Sequence, residues 1–257
     1  MPAALMSGGI TASFLKLNSD ARTMGTGNSF AAISNGVNSI ILNPAGLSNI
    51  QNKEIAMNYS NLYADMRYGF IGWGMPIDQL DAAFALGAQY LNSGEMEQRD
   101  INRKNTGSYT NKDMTINLGY GRNFPEMNLN LGLNVKYITS KIEEESANTL
   151  AMDIGGIYKT KQGINLGLTV QNIGSGLKYI DKKDPLPLTI SAGAGYQMKA
   201  GPLLALGIKN SVYEKKTTIS LGMEYSILSA FNLRTGYLTG KDLSSVSGGF
   251  GIAITKD

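Results

Sequence analysis

The chain has 257 residues, 31 of them Gly and 23 Asn, with no Cys, no His, 17% charged residues and a net charge of +3. So much Gly and Asn excludes a helix-rich domain, and the missing imidazole and thiol exclude Ser-His-Asp or Cys-His nucleophiles, the usual zinc sites and disulfides. Lys and Arg are scattered singly, which gives no basic stripe for nucleic acid, and no apolar run reaches the roughly 18 residues of a membrane-spanning helix.

Residues 1–9 lack the charged start and long apolar stretch of a signal peptide. Residues 23–52 carry no charge yet are broken by Gly25, Gly27, Gly36, Pro44 and Gly46. That stretch has no usable period and predicts an irregular segment packed against something, with one short helix near Phe30 to Ile33. The domain boundary falls at 52/53. From Lys53 onward apolar and polar residues alternate strictly, the signature of strands with two unlike faces. In the clearest run Leu129, Leu131, Leu133, Val135 and Tyr137 share one face, and Asn130, Gly132, Asn134 and Lys136 the other. About twelve such runs are visible, each near the ~9–11 residues that a tilted strand needs to cross a bilayer.

Three regularities select among β architectures. Tyr90, Tyr120, Tyr137, Tyr158, Tyr196, Tyr225 and Tyr237 all keep the apolar parity on odd and even strands alike, which predicts aromatic girdles at both ends of a barrel. The polar face carries a mid-strand glycine in most runs, including Gly87, Gly119, Gly132, Gly155, Gly167, Gly193, Gly207, Gly222, Gly236 and Gly249, so another backbone can approach closely. Long polar excursions at residues 92–112, 140–149 and 174–185 alternate with tight turns, the asymmetry of an outer-membrane barrel, with the N-terminal segment on the short-turn, periplasmic side. The fold class is thus all-β, an antiparallel transmembrane barrel over residues 53–257 with residues 1–52 as a hatch in its lumen. A soluble β-sandwich binding protein is the remote alternative.

The N-terminal blocks Phe14-Leu15-Lys16-Leu17, Ala21-Arg22-Thr23-Met24-Gly25-Thr26-Gly27, Phe30-Ala31-Ala32 and Asn43-Pro44-Ala45-Gly46-Leu47 resemble the hatch of the PorV/PorQ family, within the FadL-like group of outer-membrane barrels. Val170-Gln171-Asn172-Ile173-Gly174, Pro185-Leu186-Pro187-Leu188-Thr189-Ile190 and Leu233-Arg234-Thr235-Gly236-Tyr237 agree with it, so the resemblance spans the chain. It implies about fourteen strands, a cleaved leader and a final aromatic strand, none of which is visible in this sequence. A barrel lacking its C-terminal hairpin is the expectation here. Within the hatch, Asn43 can close an Asx turn, Pro44 fixes φ and Gly46 permits close approach. Arg22, Gly25, Gly27, Asn43, Pro44, Ala45, Gly46 and Leu47 are the candidate gating residues.

Two functions follow from the resemblance. One is a part in protein export and cell-surface attachment of the type IX kind, with secretion-machinery proteins or secreted cargo as partners. The other is passage of hydrophobic small molecules. Outer-membrane lipid is a partner in both, and the long loops would be extracellular. Asp81, Asp113, Lys136, Asp153, Lys209, Glu224 and Arg234 are the candidate lumenal charges, and their mixed signs favour pairing with one another or with a plug over an open ion pore. No cofactor, metal or catalytic residue is expected. The run Glu143-Glu144-Glu145 reads as a solvated loop tip more readily than as a calcium site.

Overall fold

The computed structural model describes residues 11–63, 65–99, 102–143, 145–179, 183–199, 201–227, 230–240 and 243–254. The expectations for residues 1–9, for Glu144 and for the chain end at 255–257 lie outside them. The strands are β1 (Glu54–Asn61), β2 (Arg67–Ile77), β3 (Ala82–Arg99), β4 (Asn105–Phe124), β5 (Leu129–Ile142), β6 (Glu145–Lys159), β7 (Ile164–Gly174), β8 (Leu177–Lys178), β9 (Lys183–Asp184), β10 (Thr189–Gln197), β11 (Leu203–Ser211), β12 (Lys216–Ile227), β13 (Phe231–Gly240) and β14 (Leu243–Ile252). Twelve of them form one antiparallel sheet in the order β1 to β7 and then β10 to β14, while β8 and β9 pair separately in the connection between β7 and β10. Among the described residues β1 and β14 each pair along one edge only.

The alternation read in the sequence becomes alternation of burial. Over residues 112–122 of β4 and 130–138 of β5 every second residue is buried and its neighbours are exposed. The exposed set is apolar: Ile116, Leu118, Leu131, Leu133, Leu168, Leu206 and Leu221 are all open, and so are the seven tyrosines of the predicted girdles. A sandwich would turn this face inward onto a second sheet, so that alternative is set aside. The tyrosines fall at two levels. Tyr158 pairs with Leu129, eight positions along β5 from Tyr137, which is about 26 Å of strand at roughly 3.3 Å per residue.

Two of the three long excursions are not loops. β3 runs on to Arg99 and β4 starts at Asn105, while β5 ends at Ile142 and β6 begins at Glu145. Ser108, Tyr109 and Thr110 pair with Glu97, Met96 and Glu95, so polar residues of good strand propensity simply continue the ladder. The strands of this quarter are therefore 14 to 20 residues long, against 9 to 12 for β10 to β14.

Residues 11–52 lie on the buried, glycine-bearing face. They contain one α-helix, α1 (Ala21–Gly25), and single 3-10 turns at Ser13–Lys16, Val37–Ile41 and Pro44–Asn49. The helix falls at 21–25 and not near Phe30 as the sequence predicted. Asp20 caps it, its carboxylate accepting from the Thr23 amide at 3.0 Å, whereas Phe30 to Ile33 form only a turn. Two apolar clusters hold the segment. Phe30, Val37, Ile40 and Leu47 pack with Phe70, and Phe14 packs with Tyr68, Leu91, Ile138, Leu177 and Leu186. Each such side chain contributes roughly 1.5–3 kcal/mol when fully buried.

The second cluster places the start of the segment at the end with the long connections. There the Thr11 amide donates to the Pro185 carbonyl at 3.2 Å and Lys16 pairs with Glu214 at 2.5 Å. The expectation that the whole segment sits on the short-turn side is thus corrected. An uncharged, irregular chain can run from one end of the sheet's inner face to the other, because its polar groups find partners all the way along.

Candidate functional site

All ten of the predicted wall glycines meet the segment or its immediate packing partners. A Cβ added at Gly132 would run into the backbone of Pro44 and Ala45, and one at Gly167 into Ala31. At Gly222 and Gly236 it would meet the backbone of Thr26 and Gly27, and at Gly249 the backbone of Gly25 and Ala21. Gly87 and Gly119 face the Ile40 side chain, Gly155 the Asn43 amide, Gly193 the Ala31 methyl and Gly207 the Ser29 backbone. The glycine ring and the segment are two halves of one surface. This is why the sequence keeps Gly on the inner parity although Gly weakens a strand.

The candidate gating residues are therefore brought together against the sheet. Asn43 is wholly buried. Its side-chain oxygen accepts from the Ala45 amide at 3.2 Å, the predicted Asx turn, while its amide donates to the Ala31 carbonyl at 2.6 Å and to the Gly156 carbonyl at 3.4 Å. Pro44 opens the 3-10 turn, and Ala45, Gly46 and Leu47 are buried within it. A Cβ on Gly46 would strike the Ser34 carbonyl, so the glycine is required by close approach. Gly27 has a φ of 66° and lies on the backbone of Tyr237. Because Asn43 fixes three backbone groups, Asn43→Ala is expected to cost about 2 kcal/mol, read as a lowered unfolding midpoint of the detergent-solubilised protein.

The candidate lumenal charges are placed in several different settings. Lys136 and Asp153 pair with each other at 2.8 Å and are almost wholly buried. The Lys136 ammonium also donates to the Asn172 side chain at 2.7 Å, and the other Asp153 oxygen accepts from the Asn172 amide at 2.7 Å. Glu224 and Arg234 form the second group together with Arg22 of the segment. Arg22 places Nε and Nη2 at 2.9 and 3.1 Å from the two Glu224 oxygens, and Arg234 Nε lies 2.6 Å from one of them. Lys209 lines a cavity beside the Lys16–Glu214 pair.

Asp113 is buried at the long-connection end, where Ser140 and Asn111 donate to its carboxylate and the Tyr179 hydroxyl donates to Ser140 at 2.7 Å. Burial pushes the Tyr179 phenol above its ordinary value, and the carboxylates of Asp113 and Asp184 push it the same way. Asp81 is the exception. It sits exposed in the β2–β3 turn with φ 49° and offers its carbonyl to the Asn123 amide, so it is a turn residue and not a lumenal charge. Its odd number matches the inward set of β3, but the strand begins one residue later, at Ala82, and the turn geometry points Asp81 elsewhere. Glu143 accepts from Gln98 at 3.1 Å, and among the described residues no acidic group has the makings of a metal site.

Sequence reasoning missed a polar ladder beneath the segment. Gln89 donates to Tyr68, Thr115 to Gln89, Asn117 to Thr115, and Asn134 to both Asn117 and Asp153. Asn134 and Gln171 also donate to the Ile40 and Ile41 carbonyls, and Tyr68 donates to the Leu17 carbonyl. Inward parity together with polarity was the available signal, the one that set Asn130, Asn134 and Lys136 on one face of β5.

Two cavities flank residues 22–33. One, of about 400 Å³, faces the long connections and is lined by Leu15, Met24, Phe30, Leu42, Lys209 and Leu238 among others. The other, of about 450 Å³, faces the short turns, where Arg22, Ile33, Asn35, Lys159, Asn165 and Gln197 border it.

The model of the type IX secretion system protein PorV matches residues 7–209. Three solved structures are similar in fold. The Pseudomonas putida toluene transporter TodX has a TM-score of 0.69 at 13% identity, covering 91% of this chain and 88% of that one. The monoaromatic hydrocarbon channel CymD has 0.63 at 12%, covering 91% and 88%. A Pseudomonas aeruginosa FadL homologue has 0.60 at 12%, covering 88% and 80%. No curated protein matches the sequence. The similarity of these structures speaks for the fold, that of FadL-type outer-membrane barrels. With a twelve-stranded antiparallel sheet that turns an apolar, tyrosine-flanked face outward, and with the family model matching residues 7–209, the chain belongs to the PorV family of type IX secretion system proteins.

Proposed function

We propose that this protein is a closed outer-membrane component of protein export, its lumen filled by residues 11–52 acting as a hatch, with the short turns in the periplasm and the long connections at the cell surface. Secretion-machinery proteins or secreted cargo are its partners. The observation that carries the reading is the seating of the segment on the row of wall glycines, with its backbone against theirs. Closure of this sort suits a protein that holds or hands on cargo at the membrane better than one that conducts ions.

Deleting residues 11–52 tests the hatch. The shortened protein is expected to keep the gel-mobility difference between unheated and boiled samples that marks a folded barrel, and to conduct ions steadily in planar bilayers where the full chain is nearly silent. A folded deletion that stays silent would refute the hatch. For the export role, loss of the gene is expected to leave secreted proteins in the periplasm; normal secretion would overturn it.

The cavity of about 400 Å³ favours a second reading, passage of a hydrophobic small molecule, as in the hydrocarbon channels that share the fold. Apolar ligand in the purified protein, with no co-purifying secretion component, is the outcome that would select it.

A further inference from the structure

Residues 11–52 are seated unequally on the two halves of the sheet. Over β2 to β6 its side chains interlock with the wall. Val37 fills the space above Gly72 and Gly74, Ile40 that above Gly87 and Gly119, and Leu47 that above Gly119 and Gly121. The Ile40 and Ile41 carbonyls are held there by Asn134 and Gln171. Over β11 to β14 the nearest atoms of the segment are mainly backbone. Ser29, Thr26, Gly27 and Gly25 lie with their backbone on Gly207, Gly222, Gly236 and Gly249, with the Thr26 Cβ also beside Gly222. Besides the Lys16–Glu214 pair ahead of α1, the ties on this half include the neutral contacts of Ser247 with Gly25 and Gly27, and Glu224 gripped by Arg22 and Arg234.

The loosely seated stretch is braced within itself. Asp20 caps α1, and the Asn18 amide donates to the Asn28 side chain at 3.1 Å. Met24 and Asn28 face one cavity and Arg22 the other, so this stretch is part of the partition between the two. A body with smooth contacts on one side, cavities above and below, and one charged anchor has the build of a gate.

We infer that residues 20–29 form a gate between the two cavities, latched where Glu224 binds Arg22 and Arg234, and that it opens along the glycine track of β11 to β14 while the segment from Phe30 onward stays on β2 to β7 and β10. The inference rests on the hatch reading. Its electrostatics have a definite sign. With its charge, Glu224 holds two guanidinium groups; without it, the same two groups repel each other, and the latch becomes a spring.

The test is conductance of K⁺ and Cl⁻ through the full-length protein in planar bilayers. Glu224→Gln is expected to raise the open fraction at least tenfold over the unmodified chain. Glu126→Gln, the same change at an exposed position of the β4–β5 turn, is expected to conduct as the unmodified chain does. Because the chain has no cysteine, the double variant Arg22→Cys, Glu224→Cys can be bridged by a short bis-methanethiosulfonate reagent. It should be open before bridging, closed after it, and open again in reductant. A folded Glu224→Gln protein with unchanged conductance overturns the latch, as does bridging without effect on the current, or equal opening by Glu126→Gln. If the deletion of residues 11–52 conducts and Glu224→Gln does not, the latch fails while the hatch stands; if the deletion is silent, the hatch reading itself fails.

Discussion

Lys136→Met is expected to destabilise the protein by about 3–5 kcal/mol, the cost of leaving a buried carboxylate without its cation. Asp153 is wholly inaccessible, and its remaining donors, the Asn172 amide and the Asn134 side chain, are neutral. Asn172 would lose its ammonium donor too, although its own amide still reaches the Pro187 carbonyl at 3.0 Å. The midpoint of unfolding in detergent, followed by loss of the unheated gel mobility, is the measurement. Replacing both members, as Lys136→Met with Asp153→Leu, should recover most of the loss, because the penalty belongs to the orphaned charge and not to the absence of a pair. If the single variant is as stable as the parent, water reaches Asp153 and the site is not sealed.

Gly132→Val should act on the segment more than on the sheet. A side chain there collides with the backbone at Pro44 and Ala45, where nothing flexible can give way. Overpacking of this kind costs about 1–3 kcal/mol. The strand itself gains a β-branched residue, which favours it. The expected outcome is a barrel that still shifts on heating, with the Pro44–Asn49 turn dislodged, residues 11–52 cut by added protease, and raised ion conductance. Unchanged protease resistance would mean that the turn can shift sideways without releasing the wall. The parallel substitution Gly156→Val, on the outward parity of β6, meets only ordinary contacts with Leu131 and Asn130 and should do neither.

The two substitutions also mark what was legible in the sequence. Strand number, face and the outward tyrosines came from a period-two pattern that each strand carries within itself. So did the glycine ring, since inner parity can be counted along one strand. The partner of that ring could not be counted. Gly132 meets Pro44, and Gly236 meets Gly27, across separations that no local pattern encodes. The same holds for Lys136 with Asn172, which depends on a shift of register between β6 and β7 at Met152 and Ile154 and on the positive φ of Asn172. The Asx turn at Asn43 was readable because donor and acceptor lie two residues apart. The α1 helix was missed because its signal is the cap at Asp20, outside the uncharged run that drew attention. The extended hairpins were taken for loops because polarity was equated with irregularity.

Those hairpins have a consequence for how the molecule holds its shape. On β4 the outward residues Met114, Ile116, Leu118 and Tyr120 give way to Lys112, Thr110, Ser108 and Thr106. On β5 the change comes between Tyr137 and Thr139, and on β6 between Leu150 and Asn148. Tyr137 pairs with both Ile116 and Leu150, and Met114 with Thr139, so the change falls at one height across neighbouring strands. Below that line a strand has lipid on one side and the segment on the other. Above it the same strand is wetted on its outer side. A short ribbon of a few strands with so little to bury is at best marginally stable alone. The tall quarter of the rim therefore borrows its order from the part in the membrane: it is a stiff extension of four embedded strands, shaped by their register, and would have no form of its own if severed from them.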